Sequence, residues 1–123
     1  MTAAVLVVDD EADLLATYDR LLRRQGYRTI TAGTRQAALA TLESEPLSLI
    51  ISDLRLPDGD GLDVVRAARA RREPPPVIVV TGFASEQSRR QALAAGATAY
   101  LAKPFSTSAL TALVREALAP PST

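Results

Sequence analysis

The chain has 123 residues, of which 47% are apolar, and its 14 acidic and 14 basic side chains cancel to a formal charge of zero. That length predicts one domain with a core of its own, and charge neutrality provides no global field to recruit nucleic acid or an anionic membrane. Cysteine and histidine are absent, which excludes disulfides, thiol chemistry, a classical zinc site, a base titrating near neutrality and a phosphohistidine on this chain.

The first signal in chain order is the apolar run Val5-Leu6-Val7-Val8, which ends in Asp9-Asp10. Leu14, Leu15, Tyr18, Leu21 and Leu22 then recur at helical spacing until Gly26 stops them. Residues 28–32 make a weaker second strand, and 34–44 an Ala-rich second helix closed by Pro46. A third strand, Leu49-Ile50-Ile51-Ser52, runs into Asp53 and a turn-rich loop over 54–61. Leu62, Val65 and Ala68 face inward on a third helix whose end is marked by Pro74-Pro75-Pro76. Val77-Ile78-Val79-Val80 runs into Thr81-Gly82, and Ser85 caps a fourth helix that Gly96 ends. That helix has Leu93 as its one large apolar residue on an inward face of alanine, so it is expected to be the element most easily repositioned. Ala99-Tyr100-Leu101-Ala102 forms a fifth strand ending in Lys103-Pro104, and a fifth helix from near Ser106 buries Leu110, Leu113, Val114 and Leu118. Pro120-Pro121-Ser122-Thr123 reads as a terminal tail or the start of a linker, which sets the domain at residues 1–119. No basic region followed by a long apolar stretch opens the chain, and no run approaches the ~20 residues of a membrane span, so a cytoplasmic location is expected.

Short apolar runs alternating with longer helical segments predict βα units around a parallel sheet. The first, third and fourth runs are continuous in Val, Ile and Leu, as in strands covered on both faces. Right-handed crossovers then place helices on both sides, and ligands of such open sheets bind at the carboxyl ends of the strands. Asp9-Asp10, Asp53, Thr81 and Lys103 all fall at those ends.

Lys103 is the only lysine beside thirteen arginines. A compact, strongly hydrated ammonium is not interchangeable with a guanidinium. Three carboxylates, a hydroxyl and a lysine at one sheet edge suit a divalent metal and a phosphoryl group. Like charges on Asp9, Asp10 and Asp53 repel, so one pKa rises unless a cation joins them. Mg²⁺, which takes oxygen ligands and commonly combines one or two carboxylates with phosphate, resolves the conflict. An Asp at a strand end can also accept phosphoryl as a mixed anhydride. The plainer readings are a solvated turn for Asp53 and a helix cap for Asp9-Asp10. The Thr81 hydroxyl can donate to a phosphoryl oxygen, although threonine is also simply a good strand residue. Pro104 biases Lys103 away from helix and fits a tight, even cis, turn. Tyr100 points away from Leu101 and is expected at a helix edge rather than in the deep core.

Together these residues resemble the receiver domain of bacterial two-component response regulators, from Val5 through Leu118. The paired acids, Asp53 with Pro57 four residues on and then Asp60-Gly61, Thr81-Gly82, Gly96-Ala97, and Leu101-Ala102-Lys103-Pro104-Phe105 come in order and at family spacing. The resemblance implies an α/β fold: a (βα)5 doubly wound five-stranded parallel sheet of order 2-1-3-4-5, a flavodoxin-like three-layer sandwich. It implies that Asp53 is the phosphoacceptor, charged by the phosphohistidine of a sensor histidine kinase or phosphotransfer protein. Thr81 and Lys103 would hold the phosphoryl oxygens. Asp10 and Asp53 would ligate Mg²⁺ (or Mn²⁺) with the Arg55 backbone carbonyl, Asp9 supporting through water. Tyr100 would move with Thr81, and Arg55 and Phe83 occupy positions that tune phosphoryl lifetime. The implied molecule is a signalling domain rather than an enzyme, assisting only its own phosphorylation and dephosphorylation. Its fourth helix, fifth strand and fifth helix would serve an output domain or a homodimer, without direct contact to nucleic acid or membrane. The wording of residues 51–57 is similar to receivers attached to transcriptional activators.

Three other readings compete. A phosphoaspartyl phosphatase of the haloacid dehalogenase type needs a second Asp two residues after its nucleophile, where this chain has Arg55. A flavodoxin-like electron carrier needs a Ser/Thr/Gly-rich phosphate loop after the first strand, and none follows Val8. A pseudo-receiver that takes no phosphate is disfavoured by the complete set of site residues.

Overall fold

Residues 4–118 are described by a computed structural model, so the expected boundary at 119 and the tail over 120–123 lie outside the described residues. The elements alternate as expected: β1 (Ala4–Val8), α1 (Ala12–Arg24), β2 (Thr29–Ala32), α2 (Arg35–Ser44) and β3 (Leu47–Asp53) come first. Then follow α3 (Leu62–Arg69), β4 (Val77–Thr81), α4 (Glu86–Ala95), β5 (Ala99–Ala102) and α5 (Thr107–Leu118). The sheet order is β2-β1-β3-β4-β5, and every neighbouring pair is parallel. This is the doubly wound order 2-1-3-4-5. Between β3 and α3 the loop folds into a small antiparallel hairpin, with Arg55 opposite Asp60 and Leu56 opposite Gly59.

Strand alternation divides the interior in two. Leu6, Val8, Ile50 and Val79 meet Ala38, Leu42, Val64, Val65, Ala68 and Ala92 from α2, α3 and α4. Val5, Val7, Leu49, Ile51, Ile78 and Val80 meet Tyr18 and Leu22 of α1 and Leu110 and Val114 of α5. Covered on both faces, β1, β3 and β4 hold the sheet rigid, and their carboxyl ends become fixed mounting points.

Helix ends follow local chemistry. The Thr34 side chain accepts the Ala37 N–H at α2. At α4, Ser85 and Ser88 cap each other reciprocally, and Gly96 ends the helix at φ +115°, where a side chain is disfavoured.

Three expectations needed correction. Val64 is buried along with Leu62, Val65 and Ala68, because α3 packs between α2 and α4 as well as on the sheet. Leu113 and Leu118 are only half-buried, since α5 covers the edge strand β5, which is itself half-buried. Leu93 turns outward and is 37% exposed, leaving Ala92 as the buried residue of α4. The fourth helix is thus anchored by less apolar surface than its sequence promised, while α5 seats both Leu110 and Val114.

Candidate functional site at the carboxyl edge of the sheet

The four strand ends converge. Asp9 follows β1 and is 1% exposed, whereas Asp10 lies open to solvent. Asp9 Oδ1 accepts the Glu11 N–H at 2.9 Å, while the N-cap of α1 is Glu11, with no side-chain cap bond. Asp9 thus ties down the entrance to α1 with one oxygen and turns the other to Lys103. Asp53, ending β3, is 8% exposed and its Oδ1 accepts the Arg55 N–H at 3.2 Å. One carboxylate oxygen from each of Asp9, Asp10 and Asp53 lies within 4.8 Å of the other two.

Lys103 crosses this cluster from the end of β5. Its Nζ donates to Asp9 Oδ2 at 2.7 Å and to Asp53 Oδ2 at 2.8 Å, with Glu11 Oε1 at 3.6 Å. The cis Lys103–Pro104 bond forms the tight turn expected there, and the Lys103 N–H is tied to the Thr81 carbonyl at 2.8 Å. Burial pulls the Lys103 ammonium down, but its hydrogen bonds to Asp53 and Asp9 outweigh this and hold it above the usual lysine range. Burial pushes the Asp9 carboxyl up, against the lowering effect of Lys103 and the Glu11 N–H.

Thr81 is buried, and its Oγ1 accepts the Phe83 N–H at 3.0 Å, turned to its own loop. Tyr100 sits half-buried at a helix edge, as expected. Its hydroxyl accepts the Ser85 N–H at 3.3 Å and shares a hydrogen bond with Ser88 Oγ, so it is engaged with the cap of α4.

The stack of Arg55 on Phe83 has no counterpart in the sequence reading. The guanidinium lies 3.8 Å above the Phe83 ring centroid, a cation–π contact between the residues two beyond Asp53 and two beyond Thr81. Gly61 was legible only as a motif letter. A Cβ there would lie 2.0 Å from the Asp53 carbonyl oxygen, so no other residue fits. Asp58 was missed, because its partners lie on α2, far away in sequence.

The donor set fits a hard divalent cation: carboxylate oxygens only, partly desolvated, and too close for like charges to coexist without a counter-ion. Lys103 fills that role in the structure, and its two carboxylate contacts leave lone pairs on Asp9, Asp10 and Asp53 for a metal.

A family model described as the response regulator receiver domain matches residues 5–115. The chain belongs to this family. Response regulator protein PilR of Pseudomonas aeruginosa is 39% identical to this receiver domain over 113 residues, 92% of the chain and 25% of PilR. Photosynthetic apparatus regulatory protein RegA of Rhodovulum sulfidophilum is 36% identical over 121 residues, 96% of the chain and 66% of RegA. The receiver domain thus spans between 25% and 66% of the length of these curated relatives. A CheY-like receiver domain protein from Methanospirillum hungatei superposes with a TM-score of 0.90 at 33% identity, covering 96% of this chain and 94% of that one. The receiver domain of sensor histidine kinase PA1611 from Pseudomonas aeruginosa, solved with a magnesium ion coordinated in its active site cleft, gives 0.86 at 29% identity, covering 98% and 100%. The beryllofluoride-activated NtrC4 receiver domain dimer gives 0.87 at 31% identity, covering 94% and 95%. Family membership sets aside the phosphatase and electron-carrier readings. Among the described residues no helix is long and apolar enough to cross a membrane.

Proposed function

We propose that this receiver domain accepts a phosphoryl group on Asp53 from the phosphohistidine of a sensor histidine kinase or phosphotransfer protein. The observation that carries the reading is the Lys103 ammonium, held between Asp9 and Asp53 at 2.7 and 2.8 Å at the mouth of the sheet edge. It neutralises the acceptor before transfer and is placed to pair with a phosphoryl oxygen after it.

An Asp53 carboxylate oxygen attacks phosphorus, the phosphorus–nitrogen bond breaks, and the donor imidazole leaves with the electron pair. Thr81 then turns its hydroxyl from the Phe83 N–H to a phosphoryl oxygen, and Lys103 pairs with another. Asp10, Asp53 and the Arg55 carbonyl would hold Mg²⁺ (or Mn²⁺), with Asp9 supporting through water. The metal supplies the positive charge that lets an anionic group approach carboxylates. The magnesium in the PA1611 receiver and the close approach of Asp9, Asp10 and Asp53 support this assignment. Water attack on the acyl phosphate restores the Asp53 carboxylate and releases inorganic phosphate, so the domain promotes both its own charging and its own discharge.

Thr81 and Tyr100 form the switch. When Thr81 moves, the space it vacates admits the Tyr100 ring, and its hydroxyl leaves Ser88 and Ser85. Weakly anchored α4 resettles, and the face of α4, β5 and α5 presents the change to an output domain or a second copy. The Thr81 and Lys103 contacts exist only in the phosphorylated state and supply the differential free energy such a shift requires. The NtrC4 dimer supports a second copy as a partner, and the outward Leu93 supports this face as the place for it. We place the domain at residues 1–119, with 120–123 as tail or linker, in the cytoplasm, with no direct contact to nucleic acid or membrane.

Acetyl phosphate or phosphoramidate with Mg²⁺ will add one phosphoryl mass to the intact protein, and Asp53→Asn will gain none. Normal labelling of the Asn variant overturns the assignment. The Arg55–Phe83 stack screens the acyl phosphate from water. Losing an exposed cation–π contact of about 0.5–1 kcal/mol predicts that Phe83→Ala discharges roughly two- to fivefold faster. Equal decay of the two labelled proteins, followed by mass spectrometry, would remove that role.

A further inference from the structure

We propose that Asp58 is a positioning residue for the metal site, clamping the loop that carries the Arg55 carbonyl to the N-terminus of α2. The inference rests on the metal assignment above.

The first N–H groups of a helix have no partner within it. In α2 the Ala38 N–H makes the first intrahelical bond, to the Thr34 carbonyl, and the Ala37 N–H goes to Thr34 Oγ1, both at 3.1 Å. The remaining two, on Arg35 and Gln36, donate to Asp58, one to each carboxylate oxygen, at 2.7 and 2.9 Å. A carboxylate at this end is also favoured by the helix dipole. Two of the three side-chain-capped N–H groups of α2 thus reach another element, the tip of the hairpin that follows Asp53.

A second tie runs alongside. Arg35 Nε donates to Asp63 Oδ2 in the first turn of α3 at 2.8 Å. On the way, the Arg35 side chain passes so close to Gly59 that a Cβ there would lie 2.6 Å from Arg35 Cδ.

Leu56 roots the base of the hairpin in the core, and the other hydrogen bonds that hold it are local. The Arg55 N–H is bonded to Asp53, the Gly61 N–H to the Leu54 carbonyl, and the Leu62 N–H to Asp60. Away from α2, the hairpin borders a cleft of about 380 Å³ whose lining includes Arg55, Gly59, Asp60, Ser88 and Gln91. Without the clamp the tip has room to tilt into it, turning the Arg55 carbonyl with it. Mg²⁺ tolerates little departure from octahedral geometry, so a tilted donor weakens binding.

The experiment uses the whole chain with Asp58→Ala and the milder Asp58→Asn, which keeps one acceptor oxygen. Mg²⁺ binding is measured by calorimetry without phosphodonor, labelling rate against Mg²⁺ concentration, and amide exchange at residues 35–37. Loss of such an outer partner should raise the Mg²⁺ Kd about tenfold in Asp58→Ala. The labelling rate at saturating Mg²⁺ should return to native, the α2 amides should exchange faster, and Asp58→Asn should fall between. Faster exchange with native Mg²⁺ affinity would overturn the proposal, leaving Asp58 a helix cap only. So would a lowered maximal rate with native affinity. Failure of the native protein to bind Mg²⁺ would overturn the metal assignment and this inference together, which the variants alone cannot do.

Discussion

Lys103→Ala will lower the melting temperature of the metal-free domain and, in the same variant, tighten its hold on Mg²⁺. The native side chain is 14% exposed and bridges Asp9 and Asp53, whose side chains are 1% and 9% exposed. Removing it leaves two desolvated carboxylates facing each other. Stripping the partner from a fully buried charge costs about 3–5 kcal/mol, and water at the rim reduces this to about 2–3. For a domain of this size that is a drop of about 10 °C. The same ammonium repels an incoming dication, so its loss deepens the negative potential that attracts Mg²⁺. Thermal scans in chelator and in Mg²⁺ separate the two effects: the metal-induced rise will be larger in the variant than in the native protein. An unchanged melting temperature in chelator would show that Lys103 does not hold the pair, and weaker Mg²⁺ binding would contradict the electrostatic argument.

Gly61→Ala will destabilise the domain and displace the backbone of Asp53. Gly61 is the N-cap of α3 at φ −63°, a conformation open to any residue, so the requirement is one of space. The added Cβ would lie 2.0 Å from the Asp53 carbonyl oxygen, 2.8 Å from Leu54 Cα and 2.9 Å from the Asp53 carbonyl carbon. All three are backbone atoms with no rotamer to yield, and overpacking of this kind costs about 3 kcal/mol. Gly82→Ala is the matched control, with nothing within 4 Å of its Cβ position. Denaturant melts should therefore move strongly for the first and hardly at all for the second. Equal stability of the two variants would mean that the α3 entrance is loose enough to make room.

The strand ends were readable because they are one-dimensional features: an apolar run that stops at a polar residue shows both where burial ends and what waits there. Lys103 stood out through its isolation among arginines, and the Ser85 cap through its place before a helical segment. Periodicity could not say how broad a face a neighbour would cover. That is why Val64 of α3 was missed, and why Leu93 of α4 was credited with an anchoring role it lacks. The adjacent letters Asp9 and Asp10 gave no hint of their different burial, which depends on which side chain Lys103 reaches. Asp58 escaped for a related reason: its partners are backbone N–H groups on another helix, and a backbone donor has no letter. The Arg55–Phe83 stack joins two loops whose distance only the assembled sheet sets.

The hydroxyl contact between Tyr100 and Ser88 has an optical consequence. The chain has three tyrosines and no tryptophan, so phenol rings dominate its near-ultraviolet spectrum. Tyr18 is sealed in the core against Phe105, and Tyr27 follows α1 at the edge of the sheet opposite the acceptor. Of the three, Tyr100 has its phenol bonded to the cap of α4, the helix proposed to resettle. A near-ultraviolet difference spectrum taken across activation therefore carries a Tyr100 signal from the cap of α4, beside a Tyr18 signal from a phenol that feels the charges of Asp9 and Asp53.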